Sequence, residues 1–171
     1  MSGIVNNTGA RSGIIGHTVG GVDHSTLFRA YTGSGQGPTM THTTWTKMLF
    51  ATKTYDIGSN FSTSNSEYTV PSSGYYTFIS QVGFYSGNLT NCMLNLYING
   101  SSGEGTSKGV TGRAELRISN MSYFMQHTNT SYYAAGDTVR VYGYIEESGS
   151  VSSSLYTNDG LTFFSGYKVA N

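Results

Sequence analysis

A single cysteine, Cys92, excludes any intramolecular disulfide, so stability must come from packing, hydrogen bonding or association between chains. Its neighbours Met93, Leu94 and Leu96 predict a buried, inert thiol. Two prolines are too few for a stalk or stiff linker. Charged side chains make up only 11%, nine basic against nine acidic, which leaves no broad field for nucleic acid or a membrane surface. No apolar run approaches the roughly 18 residues of a membrane span. The opening MSGIVNNTGARSG lacks the apolar core of a secretory signal, so the chain is expected to start at Met1 with no signal peptide.

Patterns that carry chemistry are missing too. His17, His24, His42 and His127 lack the spacing and thiol companions of a zinc site, and surface or turn placement is expected. No Gly-x-Ser-x-Gly elbow stands between a strand and a helix. Glu146 and Glu147 form the one adjacent acidic pair, and neighbouring positions on a strand point to opposite faces, so they do not make a paired-carboxylate site. The run GSGQG from Gly33 to Gly37 lacks the Lys-Ser/Thr ending of a phosphate loop and reads as a turn. No enzymatic activity and no cofactor are expected.

What is present is glycine (23 residues), tyrosine (14 residues) and abundant Ser, Thr and Asn, the profile of short strands joined by tight polar turns. Residues 1–24 are small and polar, with Ile4, Val5, Ile14 and Ile15 separated by glycines. Such a segment cannot bury a core of its own; it reads as an arm that orders on a partner through those four residues, or as a frayed terminus. Over residues 25–171 the period is two. Tyr76, Phe78, Val82 and Phe84 share one face, interrupted by Ser80, and Cys92, Leu94, Leu96 and Ile98 share another before an Asn99-Gly100 turn. Val139, Val141 and Ile145 alternate with Arg140, Tyr142 and Tyr144 after Gly136-Asp137. Leu161 to Val169 carries large residues on both faces, which predicts a strand covered on both sides. No window shows helical spacing with caps, so about eight to ten strands are expected. Gly100 to Gly112 reads as a loop, either able to reach a ligand or disordered.

The sharpest pattern is FSTSNSEYTVPSSGYYTF from Phe61 to Phe78, where Pro71 ends an edge strand, Gly74 takes the turn, and Tyr76 and Phe78 enter the core. Followed by Leu94-Asn95-Leu96-Tyr97-Ile98-Asn99-Gly100, Ala135-Gly136-Asp137-Thr138-Val139 and Thr162-Phe163-Phe164-Ser165-Gly166-Tyr167, and preceded by Phe28-Arg29-Ala30, it resembles the globular domain of the C1q/TNF-like superfamily over roughly residues 26 to 169. Asn65-Ser66 and Lys168 depart from the usual residues, and no collagen-like Gly-X-Y repeat occurs, so complement function is not implied. The resemblance implies an all-β, two-sheet antiparallel jelly-roll sandwich that forms a homotrimer. It also admits Ca²⁺, with Asp23, Asp56, Asp137 and Asp159 as candidates, although no EF-hand spacing is present.

Tyr75, Tyr97, Tyr142, Tyr144, Phe164 and Tyr167 supply aromatic area beyond what one inner core needs, and are expected to face neighbouring subunits or to stand as ordinary surface rings. The opening Gly3-Ile4-Val5-Asn6-Asn7-Thr8-Gly9, followed by Arg11-Ser12-Gly13-Ile14-Ile15-Gly16, resembles the starts of short structural proteins of tailed bacteriophages. Together these favour a non-enzymatic virion protein released in the host cytoplasm. It would be a trimeric capsid decoration, or a small fibre or knob, bound to other virion proteins through its arm. The alternative is a trimeric module of a tail-fibre tip or cellular adhesin that binds a host-surface glycan or protein receptor, with Trp45 stacking on sugar.

Overall fold

The computed structural model describes residues 23–34, 37–85, 89–100, 110–117, 123–148, 154–157 and 160–171. Ile4, Val5, Ile14, Ile15, His17 and Asp159 lie outside the described residues. Among the described residues there are twelve strands, more than the eight to ten expected because two-residue ladders such as Thr46–Lys47, Phe61–Ser62 and Ser154–Leu155 join the sheets, and no helix. They are β1 (Asp23–Tyr31), β2 (Thr46–Lys47), β3 (Thr52–Asp56), β4 (Phe61–Ser62), β5 (Glu67–Thr69) and β6 (Gly74–Tyr85), then β7 (Leu89–Ile98), β8 (Val110–Arg117), β9 (Tyr123–Tyr133), β10 (Thr138–Glu147), β11 (Ser154–Leu155) and β12 (Phe163–Ala170).

They form two six-stranded sheets whose strands all pair antiparallel. The first sheet runs β9, β6, β12, β1, β3, with β11 continuing along β6; the second runs β4, β5, β10, β7, β8, with β2 beside β10. Period-two alternation gives each sheet one apolar face, and the two faces close on each other. Phe28, Phe78 and Phe164 from the first sheet meet Phe61 and Tyr68 from the second. The Phe28 ring lies 4.4 Å from Tyr68, 5.3 Å from Phe61 and 5.0 Å from Phe164. Burying each ring contributes about 2–3 kcal/mol, and each well-placed pair about 1 kcal/mol more. Tyr68 reconciles its hydroxyl with full burial by donating to the Thr26 carbonyl at 3.1 Å.

Gly166 makes that cluster possible. A Cβ there would stand 2.5 Å from Cδ1 of Phe78 and 2.9 Å from Cε1 of Phe28, so only a bare backbone lets both rings close over β12. At one end of the sandwich, Asn99, with φ of 53°, bridges two turns: its Nδ2 donates to Asp137 Oδ1 at 2.6 Å and its Oδ1 accepts from the Thr138 amide at 2.8 Å.

Three further sequence expectations of the fold change. Phe164 is fully buried between the sheets, because its neighbours across the strands, Ala30 and Ser80, face inward with it; it belongs to the subunit core. β12 is not covered on both sides, since Phe163, Ser165 and Tyr167 are only half-buried on its outer face. The strand covered on both faces is β7, where Met93, Asn95 and Tyr97 are buried opposite Cys92, Leu94 and Leu96. Finally, Val110 to Gly112 belongs to β8 and not to a loop, because pairing with Leu96 and Tyr97 gives its backbone a ladder to join.

Gly166→Ala is expected to destabilise the domain by about 1–3 kcal/mol by overpacking, read as a lower urea midpoint at unchanged m-value. Burial pushes the Cys92 thiol up to about 12. The native protein should therefore be inert to Ellman's reagent at pH 8, and one thiol per chain should react after unfolding.

Candidate functional site

The outer face of the first sheet is where apolar surface remains. Counting outward from the register, β6 presents Tyr75, Thr77, Ile79 and Gln81; β9 presents Phe124, Gln126, Thr128, Thr130 and Tyr132 across from them. Tyr132 is 57% exposed, Tyr75 48%, Phe124 43%, and Tyr55 of β3 another 43%. Tyr75 and Tyr132 meet edge to face at 5.5 Å, and Phe124 stacks on Tyr156 at 5.1 Å over Gly83, whose missing Cβ leaves room for that ring. Between the aromatic ends, Thr77 and Thr130 share a 2.8 Å hydrogen bond. β6 and β9 contain no Asp, Glu, Lys or Arg, and the single lysine of β12, Lys168, points inward, where it is 6% exposed. Charge enters this face at β1, where Arg29 lies 3.7 Å over the Phe163 ring; Lys53 and Asp56, which pair at 3.0 Å, fall opposite the inward Ala30 and Phe28. An uncharged, tyrosine-bearing face is the composition of an interface centre.

The outer face of the second sheet is partly covered, over β7 and β10, by its own side chains. Tyr97 is buried, with Tyr142 at 4.8 Å, and Trp45 lies across them, 6.3 Å from Tyr97 and 5.3 Å from Tyr144. Tyr144 donates to Glu146 Oε1 at 3.1 Å. Beside them Arg140 donates to Glu67 Oε2 at 2.6 Å and to the Gly100 carbonyl at 2.6 Å. The six aromatics picked from the sequence therefore do not form one surface. Tyr75 and Tyr167 share the first sheet's outer face, Tyr97, Tyr142 and Tyr144 the second's, and Phe164 is core. Tyr132, Phe124 and Tyr55 were not singled out. β9 hides its period because its inward set, Met125, His127, Asn129, Ser131 and Tyr133, is half polar.

No family model matches the chain, and no curated protein is detectably similar to it in sequence. Solved structures are similar. Eiger TNF from S. frugiperda superposes with a TM-score of 0.64 at 11% identity, covering 85% of this chain and 93% of that one. Murine APRIL gives 0.62 at 12% identity, covering 84% and 100%, and the globular domain of zebrafish complement 1qA gives 0.59 at 16%, covering 85% and 98%. The fold is thus a C1q/TNF-like jelly roll.

Two of the carboxylates singled out as metal candidates, Asp56 and Asp137, are engaged by backbone amides. The Asp56 carboxylate accepts from the amides of Asn60 at 3.0 Å and Phe61 at 3.2 Å, and Asp137 accepts from the Ala134 amide at 2.8 Å as well as from Asn99. Among the described residues no cluster of three or more His, Cys, Asp or Glu could hold a metal. Glu146 and Glu147 do face opposite ways: Glu146 bonds Tyr144, while Glu147 is buried on the inner side with its amide donating to His42 Nδ1 at 2.9 Å. His127, expected at a surface or turn, instead points inward across from Ser80, and its Nε2 is buried without a hydrogen-bond partner. Burial therefore holds its imidazole below the ordinary value of 6.5. A lowered pKa stabilises the neutral, folded form above that value, and the contribution is lost as acid protonates the unfolded chain first. His127→Gln should accordingly flatten the fall in unfolding free energy on acidification from pH 7.5 to below 6.5, measured by urea titration at each pH.

Proposed function

We propose that three copies of this chain associate through the uncharged outer face of β6, β9 and β12, and that the trimer is a non-enzymatic structural component of a phage particle. In that role it is a capsid decoration or a small fibre or knob, held to other virion proteins through residues 1–24. The observation that carries the assembly is the segregation of exposed rings: Tyr55, Tyr75, Phe124 and Tyr132 all stand on the first sheet, and among the described side chains none of the exposed large apolar residues lies on the second. Tyrosine buries large area at low conformational cost and keeps a polar tip, so the same rings are tolerated in water before assembly. The C1q/TNF-like fold supports the three-fold arrangement. The resemblance of the opening residues to phage structural proteins supports the particle, with Ile4, Val5, Ile14 and Ile15 as the apolar contacts of the arm.

Sedimentation velocity on the full chain is expected to show a trimer. Tyr75→Glu with Tyr132→Glu, which buries like charges without partners, should shift it to monomer with the thermal midpoint of the monomeric fold retained. A wild-type chain that stays monomeric up to about 100 μM, well above the range of stable complexes, would remove the assembly reading. Deleting residues 1–22 should leave the trimer intact and abolish co-sedimentation with particles; unchanged co-sedimentation would remove the anchoring reading.

A further inference from the structure

We propose that the outer face of β10 and β7 beside Trp45 is a saccharide-binding site, in which the Trp45 and Tyr144 rings stack on a sugar and Glu146 accepts its hydroxyl hydrogens. The site lies on the sheet opposite the proposed subunit contact, so it stands or falls separately from that reading.

Four features meet there. Trp45 is only half-buried although it lies 5.3 Å from Tyr144 and 6.3 Å from Tyr97, so part of an indole braced from below is presented to solvent. Tyr144 is fixed by its bond to Glu146 Oε1, which uses one carboxylate oxygen; Oε2 of Glu146 accepts nothing among the described residues. Asn91 pairs with Glu146 across the strands and so shares its face. It is 4% exposed, and its Oδ1 has no hydrogen-bond partner. Next along, Lys47 pairs with Tyr142 on the same face and donates to the Asn65 carbonyl at 3.2 Å.

The chemistry narrows the occupant. An anion would meet the Glu146 carboxylate. A cation drawn to the rings would find the Glu146 carboxylate on one side and the Lys47 ammonium on the other, which makes choline the competing occupant to test. An apolar side chain would cover the rings but strand the Glu146 carboxyl against hydrocarbon, at a cost larger than the contact returns. A neutral polyol ring has one face of C–H groups for the aromatic platform and equatorial hydroxyls that donate to Glu146 Oε2, so it satisfies rings and carboxyl together.

Trp45 is the sole tryptophan, which makes its emission a direct reporter of the site in the unmodified chain. Cello-, malto-, manno- and chito-tetraose, bacterial O-antigen polysaccharide and choline chloride are titrated separately against the full-length protein. A saturable change with at least one saccharide is expected. Glu146→Gln, which keeps the acceptor for Tyr144 but removes the charge, should weaken that binding about tenfold or more, while Tyr75→Glu with Tyr132→Glu leaves it unchanged. No saturable change with any saccharide, saturation by choline alone, or equal affinity in a Glu146→Gln protein of unaltered thermal midpoint would each overturn the proposal.

Discussion

The packing of Phe28 against Tyr68, Phe61 and Phe164 is the contact on which the rest of the molecule hangs. It joins the two sheets, and it exists because Gly166 offers no side chain to keep Phe28 and Phe78 apart. Without a disulfide, and with only 11% charged residues, the cohesion of the described residues rests on apolar packing of this kind. Once the rings lock, the inward positions of β1, β6 and β12 are fixed, and period two settles which side chains must look outward. The composition of the outer faces is thus a consequence of the core register.

Those two outer faces are resolved differently. On the second sheet Trp45 folds across Tyr97 and Tyr144, and Arg140 closes on Glu67 and Gly100, so the layer largely covers itself. On the first sheet nothing from the described residues lies over Tyr75 and Tyr132. Among the described residues one face is largely covered and the other is not, and the proposed subunit contact and the proposed saccharide site rest on this asymmetry.

Much of the fold was legible in the sequence, because the strands that build the core alternate cleanly. The even positions of β6, the inward row of β7, the Asn99-Gly100 and Gly136-Asp137 turns and the place of the closing strand all read correctly, though not its covering on both sides, and their order carried the C1q/TNF-like resemblance. Alternation alone says neither which row of the last strand is inside nor what covers an outer row, so it does not show that Phe164 is core or that Tyr97 lies under Trp45. β9 was unreadable for the opposite reason. Its inward positions include His127, Asn129 and Ser131, which sit at the rim of the sandwich where polar groups are tolerated, and this erased the hydrophobic period that would have revealed Phe124 and Tyr132 on the other face.

The missing charge on β6 and β9 has a last physical consequence. Counter-ions act on a surface only through the charges it bears, and these two strands bear none, so there is no Coulomb energy along them for dissolved salt to screen. Whatever adheres there does so with the same strength in fresh water and in brine, apart from the modest strengthening that concentrated salts give to any dehydrated contact.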